Sequence, residues 1–179
     1  ERRNDGDPRQ MTREYPAETA TEFPSPPDTV TDGDGREILI RPGGADDMEP
    51  LVEMYLDFEA EDRAQGIPPV REEPIRDWLD VLLSDECLNV VALHDDEPIG
   101  HATLVPDEGE SYELAIFVLR SYQGAGIGTH LLEHLLGHAQ DVGVQYVWLT
   151  VERWNDPAIA VYKKVGFDMI STESFELEM

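Results

Sequence analysis

An apolar segment, Tyr112–Leu119, leads into Gln123-Gly124-Ala125-Gly126-Ile127-Gly128, and a helix-like pattern follows at once. Three glycines at alternate positions let a backbone come close to a ligand and turn several N–H groups outward. At a helix start such a loop binds anions: its first amides have no intrahelical acceptor, and the dipole end is positive. The natural guest is a diphosphate. A strand, a glycine turn and a helix in that order also point to an α/β unit.

The flanking pattern supports this class. Ile38-Leu39-Ile40 reads as a first strand. Asp46 or Asp47 then caps a helix carrying Met48, Leu51, Val52, Tyr55 and Phe58. After the loop Gln65-Gly66-Ile67-Pro68-Pro69, a second helix starts near Pro74, with Ile75, Trp78, Leu79 and Leu82 on one side. Leu88–Leu93 and Ile99–Val105 form a hairpin about Asp95-Asp96-Glu97-Pro98. Tyr112–Leu119 is apolar on both faces after Glu113, as in a central strand. The helix after the glycines runs from about Gly126 to Val142 and buries Ile127, Leu131, Leu132, Leu135 and Leu136; Gly143 ends it. Val147–Val151 is a further central strand. Asp156 caps a short helix with Pro157 at its first position and Gly166 at its close. Phe167–Ile170 and Phe175–Met179 alternate as a final hairpin. The expected fold is an α/β sandwich with a mixed sheet.

Residues 1–36, rich in Pro, Thr, Asp and Glu, read as a flexible acidic extension, and residues 37–179 as the folded domain. The chain carries 39 acidic and 13 basic residues, a net charge of −26, spread along its whole length. Such a domain repels itself at low salt. We read the charge as adaptation to a salty cytoplasm, where screening removes that cost. With no basic stripe, nucleic acid is not an expected partner. No apolar run reaches membrane-spanning length and no signal peptide is evident, so a membrane partner is not expected either. Cys87 stands alone, which suits a reducing compartment, and it reads as a small buried hydrophobe. The expected location is cytoplasmic.

Two familiar phosphate loops fail. A Walker loop needs a lysine where Gly128-Thr129-His130 has none. A dinucleotide fingerprint fits Gly124 and Gly126, with Glu152 as the ribose acid, but Thr129 replaces the third glycine. Arg120 to Gln123 also separate the strand from the turn. What Gln123-Gly124-Ala125-Gly126-Ile127-Gly128 resembles is the Arg/Gln-x-x-Gly-x-Gly/Ala signature of the GNAT superfamily of acyl-CoA-dependent N-acyltransferases. Downstream, Asn155, Ala158, Tyr162, Lys164, Gly166 and Phe167 are similar to the family's N-x-x-A-x-x-x-Y-x-K-x-G-F.

The resemblance covers about residues 37–179 and implies a three-layer GNAT-type sandwich. Its sheet is mixed and mostly antiparallel, with helices on both faces and a splayed central pair of parallel strands. It implies acetyl-CoA as co-substrate, with the pantetheine arm on backbone groups of Ile116, Phe117 and Val118. The diphosphate would lie on Gln123, Gly124, Ala125, Gly126, Ile127, Gly128 and Thr129. Asn155 and Tyr162, two helical turns apart, would face the same groove. No metal is implied, and a homodimer is left open.

Attack of an amine on a thioester requires removal of the amine proton, stabilisation of an oxyanion and protonation of the leaving thiolate. By resemblance, a backbone N–H near Val118 serves the oxyanion, Tyr162 the thiolate, and Glu113 acts as base, directly or through water. Glu152 is a reserve base. Ribosomal-protein N-acetyltransferases place a base glutamate where Thr150 stands, and this departure argues against assigning their substrate here. Lys163 and Lys164 complement a helix C-terminus or touch CoA phosphates. His130, His134 and His138 are read as a solvated helix face. Loop 61–73 and Trp154 are expected to shape the acceptor site. The expected acceptor is a primary amine, on a small molecule or a protein. The contrasting reading is a non-catalytic acyl-CoA-binding sensor or interaction module.

Overall fold

A computed structural model describes residues 15–16, 20–63, 67–170 and 176–178. Six strands form one sheet in the order β1 (Asp28–Thr31), β2 (Glu37–Pro42), β3 (Leu88–His94), β4 (Glu97–Pro106), β5 (Ser111–Val118), β6 (Tyr146–Trp148). The first four neighbour pairs are antiparallel and β5–β6 is parallel. β7 (Thr150–Glu152) pairs antiparallel with β8 (Glu176–Glu178) in a separate ribbon. Helices α1 (Met48–Leu56) and α2 (Glu72–Leu82) cover one face. Helices α3 (Ile127–Asp141) and α4 (Asp156–Val165) cover the other. This is the expected GNAT-type sandwich of mixed, mostly antiparallel sheet with helices on both faces.

Each face has its own core. Ile38, Ile40, Val90, Ala102 and Leu104 meet Leu131, Leu132 and Leu135 of α3. Leu51 and Tyr55 of α1 meet Ile75 and Leu79 of α2 over Val91 and Leu93. Burial of each such leucine or isoleucine contributes about 1.5–3 kcal/mol. The β3–β4 hairpin turns where expected, with Asp95 and Asp96 both at positive φ (50° and 66°), as a type I′ turn requires. Among the described residues no helix is long and apolar enough to cross a membrane.

The structure corrects the sequence reading in several places. Val147–Val151 is not one strand: it divides at the buried Leu149 into β6 and β7, which belong to different sheets. No strand forms over Phe167–Ile170, and the C-terminal β8 pairs with β7 instead. The cap of α4 is Asn155, whose Oδ1 accepts the Ala158 N–H at 3.3 Å.

The sheet also begins earlier than residue 37. Residues 20–36, expected as part of a flexible extension, lie across α3 and supply β1. The Phe23 N–H donates to Gln140 Oε1 at 2.9 Å, and Gln140 Nε2 donates to the Thr21 carbonyl at 3.0 Å. Gly137 makes the notch: a Cβ there would sit 1.9 Å from the Pro24 carbonyl oxygen. Residues 1–14 and 17–19 of that extension lie outside the described residues.

Candidate active site

Glu113 and Trp148 are the last partners in the parallel β5–β6 ladder, after Ser111–Tyr146 and Tyr112–Val147. β5 continues to Val118, but β6 stops at Trp148 and the chain turns away into β7. The edge of β5 from Leu114 to Val118 therefore faces a split in the sheet.

The β4–β5 register settles which groups face the split. The Leu119 N–H donates to the Ile99 carbonyl at 2.9 Å. In an antiparallel ladder alternate pairs share both bonds, so Phe117 with His101, Ala115 with Thr103 and Glu113 with Val105 are the bonded pairs. The N–H and C=O of Ile116 and Val118 consequently point away from β4, into the split. The backbone of Phe117 does not, which corrects the expectation that it joins them there. Alternation also separates the side chains. Tyr112, Ile116 and Val118 pack on the α3–α4 side, and Phe117 packs on the α1–α2 side, the face Glu113 shares by parity.

The glycine loop lies at the end of this edge. Gly124 and Gly126 have φ of 75° and 84°, the left-handed region that disfavours side chains. Gly124 and Gly126 are exposed, while Ala125 and Ile127 are buried and anchor the loop. The first helical bond of α3 runs from the His130 N–H to the Gly126 carbonyl, so the amides of Ile127, Gly128 and Thr129 precede it. A Cβ at Gly124, Gly126 or Gly128 would meet nothing within 4 Å. This open space beside the first-turn amides has the shape and polarity for a diphosphate. Gln123 serves differently from expectation. Its N–H donates to the Arg120 carbonyl, and its Nε2 donates to the Val118 carbonyl at 2.9 Å and to Asp62 Oδ1 at 3.4 Å. It is a strut between β5, the glycine loop and the α1–α2 loop.

Tyr162 of α4 packs against the same core as Ile116 and Val118, with its ring 6.0 Å from that of Phe167. Burial pushes its phenol up to about 12, so it remains a proton donor. Asn155 spends its side-chain oxygen on the cap. Lys163 and Lys164 lie in the last turn of α4, where positive charge complements the helix end. Thr150 is exposed, Glu152 half-buried in the β7–β8 ribbon, and Trp154 63% exposed. Cys87 is buried, and desolvation raises its thiol.

On the opposite face Tyr55, Phe58, Trp78 and Phe117 form an aromatic cluster beside the α1–α2 loop, with ring centroids 5.0–6.5 Å apart. Beneath it lies a buried network that sequence patterns do not reveal. Asn89 Nδ2 donates to the Leu82 carbonyl at 2.7 Å, which turns Asn89 Oδ1 toward His101 Nε2, also at 2.7 Å. His101 therefore donates from Nε2 and accepts at Nδ1, where the Tyr55 hydroxyl donates at 2.6 Å. Burial lowers the imidazole to about 4, against a smaller opposing pull from Asp47. The histidine spacing on α3 also needs correction. His134 is 2% exposed, with Nδ1 2.6 Å from the His130 carbonyl and Nε2 3.0 Å from Asp28 of β1. Asp28 of the N-terminal segment closes over that position.

Comparison with known proteins agrees with this geometry. The model of the acetyltransferase (GNAT) family matches residues 51–167. Mycothiol acetyltransferase of Propionibacterium freudenreichii is 29% identical over 140 residues, which cover 72% of this chain and 42% of the relative. The [ribosomal protein bS18]-alanine N-acetyltransferase of Escherichia coli is 38% identical over 65 residues, 36% of this chain and 43% of the relative. The chain thus spans less than half the length of these two curated relatives. Among solved structures, the GNAT domain of S. lividans PAT superposes with a TM-score of 0.70 at 23% identity, covering 93% of this chain and 99% of that one. The ribosomal-protein-alanine N-acetyltransferase of Brucella melitensis gives 0.64 at 26%, covering 79% and 97%. PaiA N-acetyltransferase of Thermoplasma acidophilum, crystallised with coenzyme A, gives 0.60 at 22%, covering 79% and 96%. With its split sheet, its glycine-lined helix start and a family match over well more than half its length, the chain belongs to the acetyltransferase (GNAT) family.

Proposed function

We propose that this protein is an N-acetyltransferase that moves the acetyl group of acetyl-CoA to a primary amine in a ternary complex. The observation that carries the reading is the parting of β5 and β6 after Glu113 and Trp148, beside an open, glycine-lined helix start. The first-turn amides of α3 and the outward amides of residues 124–126 hold the diphosphate. The N–H and C=O groups of Ile116 hold the pantetheine arm, while the Val118 carbonyl accepts from Gln123 and its N–H is left for the reacting end of the cofactor. When bound, acetyl-CoA supplies the thioester.

The chain's own groups do the rest. Glu113, on the α1–α2 face of β5, takes the proton of the incoming ammonium, directly or through one water. The Val118 N–H donates to the carbonyl oxygen as it gains charge. Tyr162, on the other face, donates its phenolic proton to the departing sulfur. The amine thus enters from the aromatic side, and the cofactor occupies the α3–α4 side. The acceptor class is a small or protein-borne amine, and the acidic surface draws in cationic ones.

The test is a screen of polyamines, small amines and lysine-containing peptides with acetyl-CoA, reading free thiol. Turnover that falls about 10²–10⁴-fold in Glu113→Gln is expected of a lost general base. Unchanged turnover in Glu113→Gln removes that residue from the mechanism, and no turnover with any amine despite CoA binding favours the non-catalytic module. We further propose salt adaptation: among the described residues the buried acids are Asp32 and Asp47, each paired with an arginine, so the remaining described acids load the surface. A thermal midpoint that rises steeply toward molar KCl is expected; a flat or falling one contradicts this.

A further inference from the structure

The β1–β2 turn, which precedes the stretch matched by the family model, grips the glycine loop at two points. The Gly33 N–H donates to the Ala125 carbonyl at 2.8 Å. The Arg36 guanidinium lies 4.3 Å from the centre of the Tyr122 ring, one residue before Gln123. Tyr122 is held from its far side, its hydroxyl 2.7 Å from His94 Nδ1.

The turn itself is braced. The Asp32 carboxylate is wholly buried and accepts the Asp34 N–H at 3.0 Å, the Arg36 N–H at 2.9 Å and Arg36 Nε at 2.7 Å. The Asp32 N–H donates to the Arg36 carbonyl, and the Gly35 N–H to the Asp32 carbonyl. Arg36 therefore serves both ends: it neutralises the buried acid and caps the Tyr122 ring.

A consequence for ligand binding follows from peptide planarity. The carbonyl of Ala125 and the N–H of Gly126 belong to one planar trans unit and point in opposite directions. Holding the Ala125 oxygen inward, on Gly33, turns the Gly126 N–H outward. A flip of this peptide turns ψ of Ala125 and φ of Gly126, and Gly126, a glycine at a φ of 84°, has no Cβ to resist it. A flipped unit would present a carbonyl oxygen to a diphosphate.

We propose that the β1–β2 turn is a positioning device for the cofactor loop, in which Gly33, braced by Asp32 and Arg36, sets the Ala125–Gly126 peptide so that its amide faces the CoA diphosphate. This rests on the acetyl-CoA reading above. Residues that composition assigns to a tail would then help to determine cofactor affinity.

Calorimetric titration of the full chain with acetyl-CoA tests it, at a temperature where circular dichroism shows each variant folded. Gly33→Ala keeps the N–H, and its Cβ would lie at ordinary contact distance, 3.4 Å, from the Ala125 oxygen, so wild-type affinity is expected. Gly33→Pro removes the donor, and Arg36→Leu removes the brace; each is expected to weaken binding about tenfold or more. Arg36→Lys, which restores the charge beside Asp32, should recover part of the loss. A purely structural role would lower the melting temperature and leave the Kd unchanged. Folded Arg36→Leu with wild-type affinity overturns the proposal, as does Gly33→Ala losing as much as Gly33→Pro. Where Gly33→Pro does not fold, Arg36→Leu decides alone. Failure of the wild type to bind acetyl-CoA overturns the cofactor reading itself, an outcome distinct from wild-type binding that the variants leave unchanged.

Discussion

Glu113 and Trp148 are the last residues to face each other across the parallel strands, and the sheet opens immediately beyond them. A carboxylate at the apex of that opening lies on the face opposite Tyr162, so proton removal and proton delivery are assigned to opposite sides of the sheet.

Tyr162 is expected to remain protonated through the whole working range. Burial holds its phenol near 12, so deprotonation sets in only well above pH 10. A kcat–pH profile with no descending limb between pH 8 and 10 is expected, with a loss of about 10²-fold or more in Tyr162→Phe. A limb near pH 10 that disappears in Tyr162→Phe would contradict the buried phenol.

His101 makes the fold acid-sensitive. Its imidazole binds a proton near 6.5 when unfolded and only near 4 when folded. Between these values the unfolded chain takes up more protons, so stability is full above about pH 6.5 and declines as pH falls toward 4. The total loss is about 3 kcal/mol, levelling once both states are protonated. Urea unfolding of wild type and His101→Gln at pH 7, 5.5 and 4.5 measures it. The wild type should lose more stability than the variant over that range; equal slopes would mean that His101 is not buried as a neutral ring.

Gly137→Ala has a sign that reports on the N-terminal segment. On a helix with an open face this change stabilises by roughly 0.5–1 kcal/mol, because alanine is the better helix former. Here the added Cβ would collide with the Pro24 carbonyl, 1.9 Å away, and the chain must shift. A destabilisation of about 1–3 kcal/mol is expected. A stabilised variant would show that residues 20–27 do not rest on α3.

What the sequence made legible follows from how local each signal is. The glycine loop, the β3–β4 hairpin and the helix closures at Gly143 and Gly166 depend on backbone needs of residues adjacent in the chain, and all appear as read. β1 was hidden because Asp28–Thr31 is four residues between proline and glycine turns. His134 holds its Asp28, and Gln140 holds Thr21 and Phe23 just before it, both from more than a hundred residues away. His134 looked solvent-facing for the same reason, since its cover is not on its own helix. The Tyr55–His101–Asn89 network joins α1, β4 and β3, and no periodicity along one element marks it. For the candidate site, strand, loop and tyrosine were visible as motifs. The alternation that takes the Phe117 backbone out of the split was not, because it depends on the Leu119–Ile99 bond between strands.

Titration of the purified chain with acetyl-CoA, in multimolar KCl, decides whether the glycine loop and the split sheet form a cofactor site. Micromolar binding is expected, and its loss in Gly126→Val, where a branched side chain would be forced to a φ of 84° and into the space assigned to the diphosphate. No binding by the folded wild type, or equal binding by a folded Gly126→Val, would contradict it.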